Sequence, residues 1–190
     1  MTGVYELPFG RGKLIGSGWN PIVDSIVGGW KLSGAQVYYS GFPVTVSSPA
    51  NYSTTVDAFT GAARPNQLRP LHVTGKSINA YFGTEVQGTS CGPNQDNGTC
   101  VYQQQPNNGF GALRPGSLRA PSFQNIDMSV AKTFRIWHEQ RFDFRADFFN
   151  AFNIADYAPP DSGMADSNFG QITGTVNNNR STQLSLKYAF

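Results

Sequence analysis

Residues 141–148, RFDFRADF, alternate without a break. Phe142, Phe144, Ala146 and Phe148 share one parity; Arg141, Asp143, Arg145 and Asp147 share the other. Successive side chains of a strand point to opposite faces, so this period of two makes one apolar aromatic face and one charged face. A helix would mix the two sets. The segment before it, FQNIDMSVAKTFRI, has the same property. Ile126, Met128, Val130, Phe134 and Ile136 share a parity interrupted by Lys132, opposite Asn125, Asp127, Ser129, Ala131, Thr133 and Arg135. Only WHEQ, residues 137–140, separates the two segments. So short a link predicts an antiparallel hairpin.

The same pattern recurs along the chain. QLSLKYAF sets Leu184, Leu186, Tyr188 and Phe190 against Gln183, Ser185 and Lys187. A further strand is predicted from about residue 30 through residue 46, weakened by Gly34. TGVYELPFG reads as the end of an earlier strand stopped by Pro8. GRGKLIGSGWNPIVDS is a connection with one short helical turn predicted near residues 21–27. Two long connections are rich in turn-forming residues. One spans residues 47–121, with short strands expected in LHVTG or SINAYFG; the other spans residues 153–180. The expected class is all-β and antiparallel, with about five or six strands.

Two solvents suit an apolar strand face: a protein core, as in a β-sandwich, or lipid, as in a transmembrane barrel. Three features favour lipid. The opposite face is charged and small, as a water-filled lumen requires. Short links alternate with long loops, as in outer-membrane barrels. With WHEQ on the periplasmic side, both long connections become extracellular. Aromatic residues (Trp137, Phe149, Phe152, Tyr188 and Phe190) stand near strand ends, as interfacial girdles do. Ile126, Met128, Val130, Phe142, Phe144 and Phe148 are then the expected lipid-facing residues. Arg141, Asp143, Arg145 and Asp147 are the expected lumen-facing row, pairing with each other and with neighbouring strands.

Composition narrows the partners. The net charge of +2 is small and its basic residues are scattered, which excludes a nucleic-acid interface. No apolar run approaches the ~20 residues of a spanning helix. MTGVYELPFG has no signal-peptide pattern, so either the chain stays in the cytoplasm or an N-terminal portion is missing. Cys91 and Cys100 flank a Gly-, Pro- and Asn-rich turn, and a disulfide between them suits an oxidising compartment.

GGWKLSGAQVYYSGFPVTVS, SLRAPSFQNIDMSVAKTFRI, RFDFRADFFNAFNIADY, FGQITGT and a terminal QLSLKYAF, in that order, resemble the C-terminal end of the Oar-like TonB-dependent transporter barrels of bacterial outer membranes. The resemblance covers nearly the whole chain. It implies a barrel of about 22 strands with a plug inside. Its partners would be outer-membrane lipid, the rest of the barrel with its plug, a TonB complex reached through a missing N-terminal part, and the barrel-assembly machinery. Leu184, Leu186, Tyr188 and Phe190 match the C-terminal signal read during barrel assembly. This chain is then a C-terminal portion, since the smallest closed single-chain barrels need about eight strands.

No catalytic constellation stands out. His72 and His138 are far apart and lack partners at metal-ligand spacing; two thiols alone are an incomplete zinc set. The glycines of PFGRGKLIGSG do not fit dinucleotide spacing and read as a flexible periplasmic turn. An enzyme is not expected, nor a cofactor, and the ligand-binding residues are unknown. A secreted β-sandwich module, binding carbohydrate for instance, is the alternative expectation from another class.

Overall fold

The computed structural model describes residues 1–49, 63–87, 89–105 and 110–190. These form two compact units. The first comprises residues 1–39, 123–155 and 177–190; the second, residues 40–122 and 156–176. In chain order the elements are β1 (Thr2–Glu6), α1 (Pro21–Val27), β2 (Lys31–Tyr39), β3 (Pro43–Val44), β4 (Asn66–Gln67), β5 (Tyr102–Gln103), β6 (Leu118–Arg119), β7 (Phe123–Trp137), β8 (Gln140–Phe149) and β9 (Ser181–Ala189). A single 3-10 turn covers Thr84–Val86.

The first unit is an antiparallel meander in the order β1-β2-β7-β8-β9. The hairpin predicted at WHEQ joins β7 to β8. Its turn is tight enough that His138 takes a positive φ of 50°. Register carries parity from strand to strand. Val130 faces Ala146 and Leu32, Met128 faces Phe148 and Gly34, and Phe134 faces Phe142. Phe142, Phe144 and Ala146 in turn face Tyr188, Leu186 and Leu184. The polar set aligns likewise, Ser129 with Asp147 and Thr133 with Asp143. Across β7, β8 and β9 one face is therefore mainly apolar and the other mainly charged, while β1 and β2 put Val4, Val37 and Tyr39 on the charged side and Gln36 on the apolar one. Aromatic contacts tie the apolar face across strands, with ring centroids of Phe142 and Tyr188 5.0 Å apart.

β2 is shorter than the sequence predicts. It ends at Tyr39, and Pro43 and Val44 pair instead with Arg119 and Leu118 in the second unit. Gly41 explains the departure. A side chain there would collide with the Ala120 carbonyl, so the chain leaves the ladder where only glycine allows two backbones to meet. Phe149 also departs from expectation. It shares the parity of Asp147 and pairs with Ser181, so it lies on the charged face rather than in an aromatic girdle on the apolar one.

The second unit gathers the long connections, expected to hold short strands, around a core of their own. Val46, Phe82, Val86, Val101, Tyr102, Leu113, Met164 and Phe169 form its buried core. Phe82 and Phe169 have centroids 5.7 Å apart, and Tyr102 packs edge-on against Phe169 at 6.1 Å. Short ladders, β3 with β6 and β4 with β5, hold segments distant in sequence. Backbone bonds from Tyr81 to Gly170 and from Ile172 to Ile78 fasten residues 156–176 onto it. Neither LHVTG nor SINAYFG is a strand; Ser77 and Ala80 make one isolated bridge. Apolar residues too sparsely spaced for periodicity still gather into a core by long-range contact.

Asn150 locks the exit from β8. It is buried and takes a φ of 48°, a conformation Asn tolerates better than most residues. Its side-chain amide donates to the carbonyls of Ile154, at 2.9 Å, and Asn178, at 3.0 Å; its oxygen accepts from the Ile154 N–H at 2.9 Å. Asn150→Ala leaves these groups unmatched in a buried site. It is expected to lower stability by about 2–3 kcal/mol, seen as a shifted denaturant midpoint in detergent. An unchanged midpoint would mean water replaces the amide without loss.

Candidate functional site

The candidate site is the sheet itself: its two faces, its terminal strand, and the polar cleft at one end. On the charged face, residues of the β8 row pair along the strand. Arg145 Nε donates to Asp147 at 2.8 Å, and Arg141 Nε lies 3.4 Å from Asp143. Thr133 Oγ1 donates to Asp143 at 2.6 Å from the neighbouring strand, and Lys187 faces Asp143 from the other side. Asp127 accepts from the Asn150 backbone N–H at 2.9 Å and from Asn125 Nδ2 at 3.0 Å. The charges thus sit within a mesh of oppositely charged and hydroxyl partners, the arrangement expected of a polar wall.

Ile126, Met128, Val130, Phe142, Phe144 and Phe148 all fall on the opposite face by register. Each is partly exposed. Leu184 and Leu186 on β9 are about two-thirds exposed, at 67% and 66%, and Phe190 is 92% exposed. Tyr188 stacks between Phe142 and Phe190, 5.8 Å from the latter.

Lys132 breaks the apolar parity, and the structure shows where its charge goes. The residue is only 5% exposed. Its ammonium donates to the Gly28 carbonyl and lies 4.9 Å from the Phe134 ring centroid and 5.4 Å from that of Trp30. A carbonyl and two ring faces replace part of its water shell. Sequence parity marks this lysine as an exception but does not reveal its acceptor, which lies over a hundred residues away in the chain.

A cleft of about 810 Å³ opens at the end of the sheet beside α1. Thr133, Arg141 and Asp143 of the charged face and Lys132 and Phe134 of the apolar face line it, with Asp24 and Ser25 from α1. The PFGRGKLIGSG stretch next to it is built from defined turns rather than left loose. Gly10 donates its N–H to Ile15, and Arg11 donates its N–H to the Asp24 carboxylate at 2.6 Å.

In the second unit Cys91 and Cys100 are joined by a disulfide, with Cα atoms 5.9 Å apart. The turn they close is held by its own side chains. Asn97 Oδ1 accepts from the N–H groups of Thr99 and Cys100, and Asp96 Oδ1 accepts from Gly98 N–H. Arg69 bridges the turn, donating to Asp96 at 2.9 Å and to the Cys100 carbonyl at 2.8 Å. This guanidinium holds the Asp96 carboxyl below its usual range. Burial pushes the nearby Tyr102 hydroxyl up to about 12. His72 meets Glu85 rather than any metal-like set, its backbone N–H donating to that carboxylate at 3.0 Å and its ring Nδ1 lying 3.9 Å from it. Among the described residues no group of three His, Cys, Asp or Glu is placed to hold a metal ion. No helix is long and apolar enough to cross a membrane, which says nothing of a β-barrel.

A family model described as outer membrane beta barrel domain matches residues 1–183, and the chain belongs to that family. No curated protein and no solved structure matches it. Membership places the chain in the bacterial outer membrane, which sets aside the secreted sandwich.

The Asp96 carboxyl is lowered in the folded state, so its contribution is present above its ordinary value of 3.8 and is lost as pH falls through the lowered one. Acidification from about pH 5 to about pH 2 is expected to loosen the Cys91–Cys100 turn. Amide hydrogen exchange at Gly98 and Cys100, corrected for intrinsic rates, checks this. Asp96→Asn should flatten the pH dependence; an equally steep profile in that variant would exclude the ion pair as its cause.

Proposed function

From membership of this outer-membrane family, and from the resemblance to Oar-like TonB-dependent transporters, we propose that the chain forms the C-terminal strands of a TonB-dependent receptor. The whole receptor imports a bulky, scarce ligand, drawing energy from an inner-membrane complex through parts lying N-terminal to these strands. The observation that carries this reading is the segregation of the sheet's two faces. Three strands consecutive in the sheet, β7, β8 and β9, place most of their aromatic and aliphatic side chains on one side and the ion pairs of β8 on the other. The apolar side suits lipid and the charged side suits a hydrated lumen or plug.

The end strands fit the same reading. β1 and β9 each have one neighbour among the described residues. An open edge is a template for another strand, and in a barrel each edge is closed by the next strand. Additional strands, toward about 22 in all, would seal both. The second unit would then lie outside the cell, its turn stapled by the disulfide, as suits an oxidising exterior. QLSLKYAF would present its alternate apolar side chains and terminal Phe190 to the assembly machinery.

Two measurements test the proposal. Sequencing the DNA upstream of the Met1 codon should reveal an in-frame continuation encoding more alternating strands, a plug and a signal peptide; a stop codon and promoter there would overturn the receptor reading. Phe190→Ala, in the receptor expressed in its host, should reduce the outer-membrane level several-fold while leaving folding into detergent intact. Equal levels would remove Phe190 from any assembly signal.

A further inference from the structure

The connection between β1 and β2 is built inside out. In α1, Ile22, Val23, Ile26 and Val27 form one stripe at helical spacing. Their exposures are 68%, 43%, 60% and 40%, and no residue of the helix is buried. On the polar arc, Asp24 accepts the Arg11 N–H from the preceding turn, while Ser25 Oγ donates back to the Ile22 carbonyl within the helix at 2.7 Å. A helix on the surface of a water-soluble protein has the reverse arrangement, apolar side in and polar side out. Leu14, in the same connection, is 92% exposed.

The stripe is continuous with the apolar face of the sheet. Trp30 Nε1 donates to the Ile26 carbonyl at 3.0 Å, and the Trp30 ring packs edge-on against Phe134 and Phe144 at 6.4 and 6.0 Å. Lys132, on that same face, holds the Gly28 carbonyl at the end of the helix. Asp24 and Ser25 border the cleft lined by Arg141 and Asp143. Lys132 and Phe134 line that cleft as well, so the polar arc borders the end of the sheet, and the C-terminal end of α1 is fastened to the apolar side.

We propose that α1 is an interfacial membrane anchor. Its stripe of Ile22, Val23, Ile26 and Val27 lies among phospholipids of the periplasm-side leaflet, where headgroups meet acyl chains. The proposal rests on the reading that the apolar sheet face meets lipid. Lipid is the occupant because the stripe continues that face and because a family of outer-membrane proteins supplies lipid at its border. Trp30 beside it is of the residue type enriched at membrane interfaces, its indole N–H bonded to the Ile26 carbonyl. Lys132 holds the helix end at this level.

The test uses the full chain in vesicles of phosphatidylethanolamine and phosphatidylglycerol that carry a nitroxide high on the acyl chain. Cys91 and Cys100 are bonded to each other, so a fluorophore added without reductant reports an introduced cysteine alone. Labels at Ile26→Cys and Val23→Cys should be quenched at least about twofold, as should one at Leu186→Cys on the sheet face. A label at Ser25→Cys, on the polar arc, should be quenched far less. Quenching at Leu186 without quenching at positions 23 and 26 would overturn the anchor and leave the lipid-facing sheet standing. No quenching at any of them would overturn both. Disulfide cross-linking of Ile26→Cys between two copies would assign the stripe to a second copy and overturn the proposal as well.

Discussion

The pairing of β7 with β8 sets the arrangement of the rest of the first unit. These two strands share a turn at His138 and Glu139, and their register aligns Phe134 with Phe142, Lys132 with Phe144, Val130 with Ala146 and Met128 with Phe148. A slip of one residue would move every side chain of one strand to the other face, bringing Arg141, Asp143 and Arg145 alongside aromatic neighbours. Burying such charges without partners costs far more than a ladder bond supplies. The hairpin therefore has one tolerable register. β9 follows it on one side, setting Tyr188, Leu186 and Leu184 against Phe142, Phe144 and Ala146, and β2 on the other, setting Leu32 against Val130.

Lys132 shows how such a face accommodates a charge. A lysine on an apolar strand face either reaches polar surroundings or finds a local acceptor. Here the acceptor is the Gly28 carbonyl at the end of α1, with Trp30 and Phe134 on either side. The interaction joins two otherwise separate features, the parity break in β7 and the connection between β1 and β2. That connection holds its order through backbone-to-side-chain bonds rather than through a core, since no residue of α1 is buried.

The second unit follows different physics. Its strands are only two residues long and its order comes from a compact apolar cluster, a disulfide and side-chain-capped turns. Short ladders of that length add little by themselves; packing of Phe82, Tyr102 and Phe169 around Val46 and Val101 supplies the larger part. In the receptor reading this unit would offer a ligand a shaped surface rather than a loose loop. That distinction bears on affinity, because a preformed surface avoids the entropy of ordering on binding.

Period-two alternation was enough, read from the residues alone, to place β7, β8 and β9, the hairpin between the first two, and the separation of Arg141, Asp143, Arg145 and Asp147 from Phe142, Phe144 and Phe148. Parity is a local property, carried by neighbouring residues and by the geometry of an extended backbone. Pro8 and the Pro21 start of α1 were legible for the same reason, since proline acts on its own neighbours. The end of β2 was not legible, because the feature that ends it is the approach of Gly41 to Ala120, far along the chain. Nor were the partner of Lys132, the buried amide of Asn150, or the core that gathers Val46, Phe82, Leu113 and Phe169. Each depends on which distant segments meet, a matter decided by long-range packing and by the need to satisfy buried polar groups, and no short window of sequence contains both sides of such a contact.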